Sequence, residues 1–457
     1  MRGGRSLLIL LVVALGLGAY IYFVEAKRDP NASTTKRDKV FAVEPGTIEE
    51  IEVRSESGQV TRAKKEGADW KIVAPAELPA DAAQIGSLVT ALESLESERT
   101  VDENPSSMAP YGLEPARFSV AFRKSGETTM HKLDVGAKTP TGGDLYARIE
   151  GQSKLILIAS YLENTFNRAT FDLRDKTALK FTRDDADSLK LEATGVPTRT
   201  LVRQGNEWKL TSPVEARADF NGADGLVGRL FQLQMKALTA DDGTADLKKY
   251  GLDEPQAVAT VGAGSSQAAI ALGGKADDTT VYARDLSRPM IFTVESTLLD
   301  DLKRAADDFR MKDVFDFRSF NATGLDVTLN GQAASFAKEK PAPAADAKDA
   351  SASPIETWKQ TRPEAKDVDQ TKMNDVLSSL SSLRASSFAA KANTSGDELV
   401  ITARYGTADK PSTETVTFRK SGDVVHAIVA GQPGAAVIAT ADFDAAVTKL
   451  KDLAGLK

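Results

Sequence analysis

Apolar residues recur with helical spacing at the same distances behind each of the three tryptophans, Trp70, Trp208 and Trp358. The positions lie 18, 22 and 25 residues after each tryptophan. They are Leu88, Leu92 and Leu95, then Leu226, Leu230 and Leu233, then Val376, Leu380 and Leu383. Because steps of four and three residues place side chains on one face of an α-helix, the pattern predicts three amphipathic helices with their apolar faces in a core.

Each predicted helix is preceded by the same short phrase. Every tryptophan opens a run of the form W-K-x-x-x-P, and an aspartate follows eleven residues after the tryptophan. These aspartates, Asp81, Asp219 and Asp369, stand where the N-cap of the helix belongs, since a carboxylate there accepts hydrogen bonds from first-turn N–H groups. We therefore interpret them as helix caps and not as catalytic carboxylates.

Alternating apolar and polar residues predict strands before each tryptophan. Ile51 and Leu189 lie nineteen residues before their tryptophans, whereas the matching Leu325 lies thirty-three residues before Trp358. The fourteen extra residues fall in an Ala-, Pro-, Asp- and Lys-rich stretch at 338–354. Such a composition cannot bury enough apolar surface to order itself, so we predict a disordered hairpin insertion there.

Short alternating strands with turn residues between them follow each predicted helix. This arrangement favours an antiparallel sheet over a βαβ wrap. A Gly-Gln pair stands at matching places among these strands, at Gly151–Gln152 in the first copy and Gly431–Gln432 in the third. The chain is thus predicted to hold three divergent copies of one module.

A membrane anchor is predicted near the amino terminus. Residues 7–24 are eighteen residues without a charge and follow Arg2 and Arg5. At 1.5 Å per residue, a helix of this length spans about 27 Å, close to the thickness of a bilayer core. The alternative is a cleaved signal peptide with Gly16 and Gly18 near its cleavage site. Because the apolar run continues past these glycines, we favour a retained anchor.

The orientation of the anchor rests on weaker signals. Basic residues lie on both sides of the apolar run, and a plain count of them would place the large domain in the cytoplasm. Long domains, however, cross the membrane largely regardless of charge. The chain has no cysteine, which suits an oxidising periplasm. We therefore expect a single-pass membrane protein whose large domain is periplasmic.

The predicted fold is α+β: an N-terminal transmembrane helix followed by three tandem modules, each a mainly antiparallel sheet with two helices. The predicted segments are a short tail at 1–6, the anchor at 7–24, a linker at 25–38, and modules at 39–172, 173–309 and 310–457.

A tyrosine-glycine phrase recurs in the first two modules only, at residues 111–115 (YGLEP) and 250–255 (YGLDEP). A functional interpretation is a recognition loop, because tyrosine offers a rigid apolar body and a hydroxyl. In the structural interpretation the glycine supplies a positive φ and the leucine packs inward. Since two copies need not share a ligand, the recurrence favours the structural interpretation.

The anchor, the tryptophan phrase, the amphipathic helix and the tyrosine-glycine phrase together resemble the bacterial family named domain of unknown function 4340. The resemblance covers most of the chain after residue 40, and the third module departs from it at the tyrosine-glycine phrase. It implies an envelope protein with ABC-type export systems or gliding-type auxiliary proteins as neighbours. It implies no reaction.

Composition excludes several classes of protein. The chain has 65 acidic and 58 basic residues, and no segment is a basic block, which argues against nucleic acid as a partner. The absence of cysteine excludes thiol nucleophiles, disulfides and Cys-type zinc sites. The two histidines, His131 and His426, lie far apart and in different modules, so we predict structural roles for both.

No motif for chemistry emerges from the sequence. A phosphate-binding G-x-x-x-x-G-K-[S/T] loop, a G-x-S-x-G elbow and an H-E-x-x-H pair are all absent. The acidic run with Asp241, Asp242 and Asp246 lacks the twelve-residue calcium-loop spacing. We therefore assign no catalytic, cofactor-binding or metal-ligating residue, no cofactor and no small-molecule substrate.

The sequence favours a non-enzymatic, membrane-anchored envelope protein, an auxiliary or scaffold subunit of an ABC-type export or gliding-type machinery. Its expected partners are the membrane and other membrane or envelope proteins. The alternatives are an envelope enzyme or an array of polymer-binding modules acting on cell-wall polysaccharide. Repetition argues against the enzyme, because one catalytic centre does not need three similar modules.

Overall fold

A computed structural model describes residues 37–241, 243–339, 356–392, 395–407 and 409–456. The predicted tail and anchor, most of the predicted linker, and residues 340–354 of the predicted insertion lie outside these ranges. Among the helices that are described, none combines the length and the apolar character needed to cross a membrane.

Three nine-stranded antiparallel sheets follow one another along the chain. The first contains β2 (Ile48–Arg54), β3 (Val60–Glu66), β4 (Asp69–Ala74), β5 (Leu78–Pro79), β7 (Arg99–Asp102), β8 (Phe118–Lys124), β9 (His131–Lys138), β10 (Asp144–Ile149) and β11 (Leu155–Ala159). A separate short pair is formed by β1 (Asp38–Lys39) and β6 (Glu96–Ser97).

The second sheet contains β12 (Ala186–Ala193), β13 (Val196–Gln204), β14 (Glu207–Ser212), β15 (Ala216–Arg217), β16 (Ala237–Ala240), β17 (Ala257–Ala263), β18 (Ser266–Lys275), β19 (Thr280–Asp285) and β20 (Ile291–Glu295). The third contains β21 (Ala322–Leu329), β22 (Gln332–Glu339), β23 (Thr357–Arg362), β24 (Lys366–Asp367), β25 (Ala385–Ala389), β26 (Asp397–Thr407), β27 (Lys410–Ser421), β28 (Val424–Val429) and β29 (Ala435–Ile438).

The strand order is the same in all three sheets. It is β5-β4-β3-β2-β8-β9-β10-β11-β7 in the first and follows the same path in the other two. The predicted α+β class with tandem, mainly antiparallel sheets is therefore confirmed. The chain divides into two compact units between Lys176 and Thr177; the first unit holds the first sheet and the second unit holds the other two.

The helices of the described residues pack against these sheets. They are α1 (Ala82–Glu93), α2 (Glu163–Phe166), α3 (Thr170–Leu173), α4 (Phe220–Phe231), α5 (Thr297–Leu302), α6 (Gln370–Ser381) and α7 (Thr440–Ala454). The nine apolar positions predicted behind the tryptophans are all buried, with an exposed fraction of 8% or less. The predicted core faces of α1, α4 and α6 are therefore confirmed.

The three predicted caps are also confirmed. The Asp81 carboxylate accepts hydrogen bonds from the backbone N–H groups of Ala83 and Gln84, at 3.0 and 3.1 Å. Asp219 and Asp369 cap α4 and α6 in the same way. These hydrogen bonds satisfy first-turn N–H groups that have no partner within the helix.

The tryptophans occupy one strand position in each sheet but differ in burial. Trp208 and Trp358 are 2% and 3% exposed, whereas Trp70 is only half-buried. In the third module the Gln370 side chain bonds both the N–H and the carbonyl of Trp358, at 2.9 Å each. The matching residue in the first module is Ala82, which has no side-chain polar group to make these bonds.

Two predicted boundaries differ from the structure. Asp38, predicted to end the linker, already belongs to β1 and pairs with Ser97. Lys338 and Glu339, predicted to open the disordered insertion, belong to β22, where Lys338 pairs with Trp358. In both cases a neighbouring strand offers backbone partners, which sequence composition does not reveal.

Residues 309–314 connect the second and third sheets within the second unit. The Met311 N–H donates to the Arg217 carbonyl at 2.9 Å, beside the second sheet. The adjacent Lys312 carbonyl accepts from the Ala385 N–H at 2.7 Å, beside the third sheet. The segment is thus hydrogen-bonded to both sheets through consecutive residues.

Candidate functional site

The tyrosine-glycine loops have the local geometry predicted from the sequence. Gly112 and Gly251 each end a short 3₁₀ turn in the left-handed region, with φ of 68° and 63°. Leu113 and Leu252 are buried. Glycine adopts this conformation without the steric cost that a Cβ atom imposes.

Each loop rests on a glycine in the middle of a neighbouring strand. A Cβ at Gly136 in β9 would lie 2.1 Å from the Tyr111 carbonyl oxygen. A Cβ at Gly273 in β18 would lie 2.3 Å from the Tyr250 carbonyl oxygen. The sequence analysis missed these two residues, although a glycine within a strand signals close approach of another backbone.

The loop tyrosines pack against a second tyrosine on the next strand. The ring centroids of Tyr111 and Tyr146 are 4.8 Å apart, as are those of Tyr250 and Tyr282. All four rings are half-buried. The tilted geometry is that of a stabilising aromatic pair covering a small apolar cluster.

Buried acids on the first sheet are neutralised by arginine. The Glu50 carboxylate accepts from Nε and Nη2 of Arg123, at 3.0 and 2.6 Å. Asp134 accepts from Arg148 at 3.1 Å. The carboxylate oxygens that bond these arginines are therefore already engaged within the sheet.

Two acids with shifted pKa values serve the backbone and turns. Burial raises the pKa of Glu414, whose oxygens accept from the backbone N–H groups of Asp316 and Phe317. Hydrogen bonds from Thr280 and Thr279 lower the pKa of Asp277 to about 2. Both carboxylates are therefore already occupied by hydrogen bonds that hold the backbone or a turn in place.

The histidines lie in different surroundings. His131 Nε2 is 2.7 Å from Glu127 Oε2, and its ring stacks on Phe122 with centroids 5.2 Å apart. His426 is buried in β28 of the third sheet. Across the described ranges no group of three or more His, Cys, Asp or Glu side chains could hold a metal ion.

Asp246, the last aspartate of the acidic run, lies directly before the 3₁₀ turn that leads into the second tyrosine-glycine loop. Asp246 accepts a hydrogen bond from the Lys248 N–H at 3.1 Å and caps the following 3₁₀ turn. Asp241 is exposed, and Asp242 lies outside the described residues.

Two large open grooves lie at matching places in the first and second modules. Groove 1, of about 510 Å³, lies between α1 and residues 159–165. Groove 2, of about 540 Å³, lies along α4 beside Arg183 and Glu295. Matching wall positions include Leu95 and Leu233, Ala91 and Arg229, and Glu98 and Lys236. The sequence analysis predicted neither groove, because each joins residues from distant segments.

The grooves share walls but not chemistry. Groove 1 has small residues along α1, an aromatic ring, Tyr161, which is 72% exposed, and an ion pair of Arg37 with Glu98 at 2.7 Å. Groove 2 is charged, with Arg183 paired to Asp224 at 2.8 Å and Lys236 paired to Glu295 at 2.7 Å. The two grooves therefore differ along their helix walls and at Tyr161, while each also carries an ion pair.

Comparison with known proteins places the chain in a family. A family model described as "Domain of unknown function (DUF4340)" matches residues 70–209 and again residues 208–400. The two matches begin at Trp70 and Trp208, the positions where the repeated phrase begins. No curated protein and no solved structure matches the chain. The two matches together span well over half of the sequence, and the chain belongs to the DUF4340 family.

Proposed function

We propose that this protein is a non-enzymatic scaffold of the bacterial envelope, anchored in the inner membrane by residues 7–24. Its proposed partners are membrane components of an ABC-type export or gliding-type machinery, in line with the neighbours that the family resemblance implies. The observation that carries the proposal is the repetition of one sheet architecture three times in tandem. Tandem modules supply several separate surfaces on one chain.

The polar groups of the modules support a binding role more than a catalytic one. The aspartates that recur behind the tryptophans cap helices. Each loop tyrosine packs against a second tyrosine of its own module. Catalysis requires reacting groups held within one site, together with a group of suitable pKa. Glu414 and Asp277, whose pKa values are shifted, each accept hydrogen bonds from neighbouring backbone or threonine donors.

The two grooves are the proposed docking surfaces. They occupy the same place beside the first helix of their modules, and they differ along that helix. The helix wall of groove 1 has small neutral residues, whereas that of groove 2 has Asp224 and Arg229. A scaffold that holds two different partners needs this combination of a shared geometry and distinct chemistry. We therefore assign one partner to groove 1 and a different partner to groove 2.

Arginine substitutions on the groove helices are expected to release these partners selectively. Ser87→Arg fills groove 1 and Gly225→Arg fills groove 2, and both positions are exposed on their helices. The full-length variants would be crosslinked in native membranes, and the crosslinked proteins identified by mass spectrometry. We expect each variant to lose a different protein at least tenfold.

Asp375→Arg is the matched control, because Asp375 occupies the same helix position in the third module and is exposed. It should recover both proteins at the wild-type level. Recovery of the same proteins by all variants would contradict the assignment of the grooves. Loss of every protein in the control as well would show that added charge alone prevents recovery.

The full-length protein is expected to show no turnover in a screen of hydrolase substrates that includes peptidoglycan and polysaccharides. The physical reason is the engagement of its candidate acids in caps, turns and ion pairs. Product release would be measured by mass spectrometry against a heat-denatured sample. Hydrolysis abolished by a single carboxylate substitution would overturn the non-enzymatic proposal in favour of an envelope enzyme.

A further inference from the structure

The second and third modules meet at a junction inside the second compact unit. The Arg217 N–H, on β15, donates to the Gln432 side-chain oxygen at 3.0 Å. Arg310 donates to the Pro433 carbonyl at 3.2 Å, and its guanidinium lies 3.7 Å from the Phe388 ring centroid. One module thus offers a strand N–H, and the next offers the glutamine of a turn.

The accepting turn of this junction recurs in the first module. Gly151 and Gly431 both have φ of 79°. The N–H groups of Gln152 and Gln432 each donate to the carbonyl three residues earlier, at 3.0 Å. The Gln152 side chain is exposed and has no hydrogen-bond partner within the described ranges. The first module therefore carries an unused copy of the acceptor.

The donating strand also recurs. In β5, β15 and β24 the residue paired with the lysine after the tryptophan is Pro79, Arg217 and Asp367, respectively. Proline has no N–H, so only Arg217 and Asp367 can donate at this position. Asp367 has the same register as Arg217, and its N–H therefore points away from its own sheet in the same direction. The third module carries an unused copy of the donor.

Within the chain, the Arg217 N–H is bonded to the Gln432 side chain. The second donor, the Asp367 N–H, and the second acceptor, the Gln152 side chain, remain available. We propose that a second copy of this chain completes the set: the Asp367 N–H of one copy donates to the Gln152 side-chain oxygen of the next. Different surfaces of the two copies meet in such a contact, so it propagates head to tail into a chain or closes into a ring. This proposal does not depend on the proposed function.

The contact between copies is weaker than the internal junction. The ring of Phe388 is replaced at the matching place in β7 by Thr100, so the cation–π contact of Arg310 has no counterpart. Both surfaces are exposed, since β7 is exposed along its length and both residues of β24 are exposed. Association should therefore depend on protein concentration.

Two variants separate the donor from the acceptor. Gln152→Ala removes the accepting oxygen, whereas Asp367→Pro removes the donating N–H. Pro79 at the matching place in the first sheet shows that this strand position accommodates proline. Gln152→Glu retains an accepting oxygen and serves as the conservative control. Circular dichroism melting curves of the variants would verify that they are folded.

The measurement is sedimentation velocity of the full-length protein in a mild detergent, over a series of concentrations. The wild type and Gln152→Glu should form dimers and larger species as concentration rises. Gln152→Ala and Asp367→Pro should each associate about fivefold more weakly, as expected for one lost hydrogen bond. In an equimolar mixture of the two, each mixed dimer has one intact contact, so dimers should form more readily than in either variant alone.

Three results would overturn the proposal. The wild type could remain monomeric at every concentration. Both variants could associate as the wild type does, which would place the contact elsewhere. A crosslinking experiment in native membranes could instead show that Gln152→Ala loses a different protein while the wild type stays monomeric, which would make that protein the occupant of the turn.

Discussion

Replacing Trp208 by alanine is expected to lower the free energy of unfolding of the second compact unit by about 3–5 kcal/mol. The indole is 2% exposed, and its Nε1 has no hydrogen-bond partner among the described residues. The loss therefore comes from packing: a large cavity forms where the indole was. Trp358→Ala should cost a similar amount, because its indole belongs to the main core of the third module. Urea denaturation followed by circular dichroism would measure both losses.

Trp70→Ala provides the internal control. Trp70 occupies the matching strand position in the first module but is only half-buried, so its truncation should cost about 2 kcal/mol or less. The substitution should shift the unfolding of the first unit, whereas Trp208→Ala should shift that of the second. Equal losses of unfolding free energy at all three tryptophans would contradict the role assigned to the difference in burial.

Replacing Gly136 or Gly273 by alanine is expected to destabilise the protein by about 1–3 kcal/mol or more. The added Cβ would lie 2.1 Å from the Tyr111 carbonyl oxygen or 2.3 Å from the Tyr250 carbonyl oxygen. These oxygens belong to backbone, so the clash can be relieved only when the whole loop lifts from the sheet. Thermal unfolding would detect the loss in the first unit for Gly136→Ala and in the second for Gly273→Ala.

Two other glycines are matched controls for this substitution. Gly86 and Gly225 lie within α1 and α4, and a Cβ at either would meet nothing within 4 Å. Alanine at these positions should raise the free energy of unfolding by up to about 1 kcal/mol, because glycine is a poor helix former. If Gly136→Ala behaved like Gly86→Ala, the tyrosine-glycine loop would not rest on the strand as described.

Features set by nearby residues could be predicted from the sequence. The apolar stripe of each long helix and its aspartate cap depend on spacings of a few residues, and all of them were found as predicted. The left-handed glycines of the tyrosine-glycine loops are equally local. Repetition of these local signals was enough to indicate three copies of one architecture.

Features set by distant residues could not be predicted in this way. Trp70 is only half-buried whereas Trp208 and Trp358 are buried, although all three open the same phrase. The walls of groove 1 bring α1 beside Tyr161, and no periodic pattern connects the two. The same limit applies to the junction glutamine, whose partner Arg217 lies 215 residues away.

The segment that connects the second and third modules also decides how the second unit would respond to tension. Met311 is bonded to one sheet and Lys312 to the other, so a pull along the chain loads both sets of backbone hydrogen bonds through a single peptide link. Arg310, wedged between the same two modules, is 8% exposed and would have to leave its buried place before they could part. Under load the two modules would therefore separate in one mechanical event. The resistance would be set by the shear of the backbone hydrogen bonds of this connecting segment.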